Sequence, residues 1–133
     1  MARQAYAWRM KYLLDSNILI AIGLDANDGV IARAAECEVG DMVMSAIAFA
    51  EVLHGTEHGK PPPLDKLEIL AEEIPVLPFD EQAARAYATI SFKRASYDRL
   101  IAAHALSLGL ILVTDNLADF ADVPGLKVEK WMT

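Results

Sequence analysis

The sequence predicts an α/β protein, a three-layer α/β/α sandwich with a central parallel sheet. Two observations predict it: short apolar runs alternate with stretches of helical apolar spacing, and turn-forming residues punctuate the junctions. Strands apolar on both faces belong inside a sheet covered by helices, and parallel order then calls for right-handed crossovers. At 133 residues the chain is long enough for one ordinary core and too short for two. Residues 1–10 are unpatterned and are read as a flexible leader or start-site extension, leaving 11–133 as a single domain.

Lys11 to Leu14 forms the first expected strand, stopped by Asp15-Ser16-Asn17, and a helix follows from about Ser16 to Ile22. Beyond Asn27-Asp28-Gly29, the positions Val30, Ile31, Ala34 and Ala35 keep helical spacing until Gly40-Asp41 breaks it. Met42 to Met44 is the second strand, and Ser45 is placed to cap a helix from Ala46 to about Glu57. Gly59 and three consecutive prolines end that helix. Leu64 to Glu73 is again helical, Ile74 to Phe79 extended, and Asp80 opens a helix expected to reach about Lys93. Asp98 to Leu108 is helical with Gly109 as its stop, Leu110 to Thr114 is an apolar strand, and Leu126 to Glu129 is the last strand.

Composition narrows the function. Hydrophobic residues at 54% and charged residues at 23% fit a folded protein and not a disordered one. The single cysteine, Cys37, cannot form an internal disulfide and suits a reducing cytoplasm. No apolar stretch has the length of a membrane helix, and a soluble cytoplasmic protein is expected. A net charge of −7 counts against a general nucleic-acid binder, unless acids belong to a metal site and local arginines meet the phosphates. Arg94 and Arg99, flanking Asp98, are the candidate contacts.

Ligands of open parallel sheets bind beyond the carboxyl ends of the strands. There the sequence places Asp15 after the first strand, Ser45 after the second with Glu51 further along its helix, and Thr114, Asp115 and Asn116 after the strand at 110. Asp98 begins a stripe continued by Ile101, Ala102, Ala105 and Leu108. Carboxylates gathered at one edge repel unless protonated or bridged by cations, and hard oxygen ligands select Mg²⁺, with Mn²⁺ as a substitute. Such ions serve phosphodiester hydrolysis by activating water and stabilising the leaving oxygen.

Each acid also has a plainer reading: Asp15 and Asp98 as helix caps, Glu51 as solvated surface, Asp115-Asn116 as a turn. Glu51, His54 and His58 share a helical face, which raises zinc, but Cys37 offers no evident fourth ligand. His104 is expected on the polar side of its helix as a surface histidine. Ser16, Ser45 and Thr114 have no histidine at readable spacing to activate them, so they are expected to support the carboxylates, as is Asp115. A phosphoacceptor signalling module also gathers acids at strand ends, but Asp80 and Lys127 fit its pattern poorly.

Together these residues resemble the PIN-domain family, and within it the VapC toxins of bacterial toxin–antitoxin pairs. Leu13-Leu14-Asp15-Ser16-Asn17 is similar to its opening motif, Ser45 through Ala50-Glu51 to Gly55 to its second, and Asp98 through Ala105 to its third. The closing segment is matched by Leu112-Val113-Thr114-Asp115-Asn116, Asp119-Phe120, Val123-Pro124-Gly125-Leu126 and Val128-Glu129-Lys130-Trp131. The resemblance implies a Mg²⁺-dependent endoribonuclease, a homodimer, an RNA substrate and inhibition by a small VapB-like antitoxin. Carried over by position, Asp15, Glu51 and Asp98 are the core acids, with Asn116 at the position of a fourth. Asn116 brings no charge, so Asp115 and Asp119 are its competitors there, and a non-catalytic PIN scaffold is the alternative that this departure allows.

Overall fold

A computed structural model describes residues 9–91 and 96–133. Its core is a five-stranded, all-parallel sheet in the order β3-β2-β1-β4-β5. The strands are β1 (Tyr12–Leu14), β2 (Met42–Ser45), β3 (Val76–Leu77), β4 (Ile111–Val113) and β5 (Val128–Glu129). Between them run α1 (Ser16–Gly23), α2 (Asp28–Ala35), α3 (Ala46–Glu57), α4 (Leu64–Glu73), α5 (Glu81–Ala88), α6 (Tyr97–Leu108) and α7 (Leu117–Phe120). Leu13, Leu14, Val43, Met44, Leu112 and Val113 are buried along the three central strands, the double-sided burial that a covered parallel sheet requires.

From β1 the chain moves one way across the sheet to β2 and β3, then returns past β1 to β4 and β5. Helix packing follows this reversal: α1 lies against α2, α3 and α4, whereas α5 packs on α6 and α6 on α7. With right-handed connections, the first set covers one face and the second set the other. The reversal makes the gap between β1 and β4 the topological switch point, where strand ends open a crevice. Leu14 pairs with Val113, so the next residues, Asp15 and Thr114, emerge side by side there. Contact between α3 and α6 brings together residues from both helical layers.

Several boundaries differ from the sequence reading. The helix expected to reach Lys93 ends at Ala88, where Thr89 caps it and turns its hydroxyl to the Ala86 carbonyl at 2.7 Å. Lys93 lies outside the described residues, as do residues 1–8 of the expected leader; Met10 is packed against the core. The extended segments at 74–79 and 126–129 pair over two residues each. The one-turn helix α7 was not expected, since four residues carry no periodicity to read. Gly109 ends α6 in the left-handed region (φ 67°), as its position predicts.

Candidate active site

Asp15 is held before any ligand arrives. It caps α1, its Oδ1 accepting from the Ser16 N–H at 2.8 Å, while its Oδ2 accepts from the Thr114 hydroxyl at 2.7 Å. The cap reading and the site reading are therefore compatible: one carboxylate oxygen fixes the helix and the other faces the switch point. Thr114 in turn accepts from the Asn116 N–H at 3.1 Å. Burial raises the Asp15 pKa against the lowering effect of the Thr114 and Ser16 hydrogen bonds, and the charge of Asp119 raises it further.

Asp98 does not cap its helix. Ser96 does so, its hydroxyl accepting from the Arg99 N–H at 3.3 Å, and Asp98 sits in the first turn. Burial raises its pKa first, then the charges of Asp15 and Asp119. Glu51, half-buried on α3, is pushed up to about 7 by burial and then by Asp15 and Asp98. Its Oε1 is buried without a hydrogen-bond partner among the described residues. An oxygen stripped of water and given nothing in return costs free energy, and here two further acids add repulsion.

Thus acids from β1, α3 and α6 share one field. Asp119 of α7 joins them, acting on both Asp15 and Asp98. Asp115 instead faces Lys130 at 3.8 Å, and Asn116 is exposed with its backbone supporting Thr114. Among the described residues no group of three or more acidic, histidine or cysteine side chains is placed to hold a metal ion. The donors are all hard oxygens with an unsatisfied member, which suits a cation that keeps several waters and takes only one or two carboxylates, as Mg²⁺ does.

Other expected residues have different partners. Ser45 caps α3, its hydroxyl accepting from Ile47 N at 3.1 Å, and contacts His104 Nδ1 at 2.8 Å; no carboxylate touches it among the described hydrogen bonds. His104 is buried, not on a polar helix side, with Phe79 edge-on at 5.5 Å. Burial lowers its pKa, opposed by the charge of Asp80. Arg99 is engaged through two bonds, at 2.8 and 2.9 Å, with Asp122. Arg94 lies outside the described residues. Cys37 donates to the Arg33 carbonyl at 3.5 Å, and burial pushes its thiol pKa up, so it stays protonated and inert. His54 and His58 stack on each other at 4.3 Å without joining a metal-holding group.

No helix among the described residues is long and apolar enough to cross a membrane. A family model for the PIN domain matches residues 12–126. The chain is 31% identical to the tRNA(fMet)-specific endonuclease VapC of Salmonella typhimurium, over 92% of this chain and 98% of that protein. It is 30% identical to ribonuclease VapC2 of Haemophilus influenzae, covering 92% and 99%. The fold is similar to that of a DNA-bound VapBC complex from Salmonella typhimurium, with a TM-score of 0.78 and 30% identity over 92% of this chain and 98% of the other. A family match over residues 12–126, most of the chain, shows that this chain belongs to the PIN-domain family, alongside its VapC ribonucleases.

Proposed function

We propose that this chain is a Mg²⁺-dependent endoribonuclease acting in the cytoplasm as the toxin of a toxin–antitoxin pair. The observation that carries the reading is the gathering of Asp15, Glu51 and Asp98 at the switch point of the sheet, where burial raises the proton affinity of each and Glu51 Oε1 has no partner among the described residues. PIN-domain nucleases use a divalent metal, and its site here would be formed by Asp15 and Asp98, with Glu51 binding or positioning water. Asp119 supplies the further negative charge that Asn116 lacks. When bound, the cation lowers the pKa of water and offsets charge on the leaving oxygen.

The chain's own part is orientation. Ser16 N–H and Thr114 fix the Asp15 carboxylate, and Asn116 N–H fixes Thr114. Water attacks the phosphorus in line, so the products carry a 5′-phosphate and a 3′-hydroxyl; a 2′,3′-cyclic phosphate would refute the mechanism. Relatives are found as VapBC complexes. This chain accordingly acts as a homodimer restrained by a small antitoxin, which inserts a basic side chain among the acids and neutralises them without metal.

Incubation with single-stranded RNA and Mg²⁺, with and without EDTA, tests the activity. Asp98→Asn is the informative variant, because Ser96 and not Asp98 caps α6. It should fold, lose cleavage by about 100-fold or more, and lose the thermal stabilisation that Mg²⁺ gives the parent. An active Asp98→Asn protein with unchanged Mg²⁺ dependence would place the site elsewhere.

A further inference from the structure

An acidic nuclease must still hold a polyanion, and the described arginines are all engaged with carboxylates, which leaves lysines to meet it. Arg9 pairs with Glu38, Arg33 with Glu129, Arg85 with Glu81, Arg99 with Asp122 and Lys130 with Asp115. Of the other described lysines, Lys11, Lys60, Lys66 and Lys127, Lys60 is the one that shares a groove with Glu51. It lines a groove of about 230 Å³ together with Ser16, Glu51, His54, Gly55 and Pro61, so that the groove carries one member of the acid cluster, Glu51.

Its position is set by the chain. Lys60 N–H donates to the Gly55 carbonyl at 2.9 Å. Its Cβ and Cδ pass 3.6 and 3.7 Å from where a Cβ on Gly55 would stand, so the stem rests on the helix face that glycine leaves bare. Gly55 lies one turn after Glu51 on that face. His54, exposed at the same groove, is backed by the stacked ring of His58, whose Nδ1 bonds the His54 carbonyl at 2.8 Å.

We propose that Lys60 holds a phosphate of the RNA strand next to the one that is cut, and that the His54 ring stacks on the nucleotide carrying it. The proposal rests on the ribonuclease reading above and deepens it by naming the strand-binding subsite. Lys60 offsets the repulsion that the acid cluster exerts on the flanking strand, and a ring face adds sequence-tolerant contact.

Cleavage of a fluorescent single-stranded RNA with Mg²⁺ over a range of KCl concentrations tests it. Lys60→Gln should raise the half-saturating RNA concentration about tenfold near 0.1 M salt, more than it alters the maximal rate, and reduce the salt slope by about 0.7. Lys60→Arg should restore both quantities. His54→Ala should weaken saturation with the slope retained, and Lys66→Gln, exposed on α4, should match the parent. A Lys60→Gln protein with parental half-saturation and slope would overturn the proposal. A parent that leaves RNA intact overturns the ribonuclease reading instead; RNA binding by fluorescence anisotropy in EDTA then carries the Lys60 comparison alone, with the same expected and overturning results.

Discussion

The acid cluster and the C-terminal clamp use the same kinds of residue to opposite ends. At the clamp each charge has a partner. Glu129 Oε1 accepts from Arg33 and from the Trp131 indole, both at 3.0 Å, while the Arg33 guanidinium lies 5.0 Å from the centre of the Trp131 ring. Tyr12 meets that ring edge-on at 5.0 Å, and Gly29 is bare of side chain where a Cβ would stand 2.4 Å from Thr133 and from the Trp131 carbonyl. At the cluster, burial raises the proton affinity of all three acids, Asp15 and Asp98 raise that of Glu51 further, and a buried oxygen has no partner among the described residues. The difference separates residues that hold the fold from residues that the fold holds against their preference.

The largest stability effect should come from breaking the clamp. Trp131, 2% exposed, anchors Tyr12, Arg33 and Glu129 at once. Trp131→Ala should cost about 3–5 kcal/mol, read from the shift of the denaturant midpoint. An intact midpoint would show that the clamp is ornamental to stability.

The cluster should respond with the opposite sign. Between pH 4.5 and about 7 the folded, metal-free protein retains a proton on Glu51 that the unfolded chain releases, so rising pH costs stability through that window. Glu51→Gln removes the cost. It should stabilise the metal-free protein above pH 7 by on the order of 1 kcal/mol, discounted for partial exposure, and the gain should vanish below pH 4.5. Thermal melts in EDTA at pH 4.5 and 8 check this; destabilisation at pH 8 would contradict the repulsion.

The smallest expected effect lies outside both regions, at His104, which contacts Ser45 and Phe79. Its folded pKa is below the usual 6.5, so both states are neutral at high pH and the unfolded chain takes up the proton first as pH falls. Stability should decline below pH 6.5, and His104→Gln should flatten that part of the profile while leaving stability at pH 8 less affected. An unchanged slope would assign the acid sensitivity to other groups.

Much of this arrangement was legible in the sequence. Turn formers after apolar runs located the strand ends, and α1, α3 and α4 run close to their expected spans because caps and prolines mark them. The surface placement expected for His104 is the exception. All five residues from Ile101 to Ala105 are buried in α6, which packs on α3 and α5 as well as on β4, so His104 has no polar face to occupy. Ser96 was missed as the cap because Asp98 is equally suited by type, and only backbone geometry separates a cap from a first-turn acid. The standing of Asp119 against Asp115 and Asn116 depends on where a one-turn helix points, which spacing alone does not encode.

The Thr114 hydroxyl has one proton and two neighbours, and they fix its direction. Asn116 N–H can only donate to it, so the hydroxyl proton is directed to Asp15 Oδ2. The result is a short relay of aligned donors running from the α7 loop through β4 to β1, with its polarity set by the backbone. Any species that draws charge from Asp15 weakens the acceptor at the end of that relay and slackens its hold on Asn116, at the start of the helix bearing Asp119. The order of that segment is thereby coupled to the state of a carboxylate on another strand, so occupancy of the crevice would register as altered amide protection at Asn116.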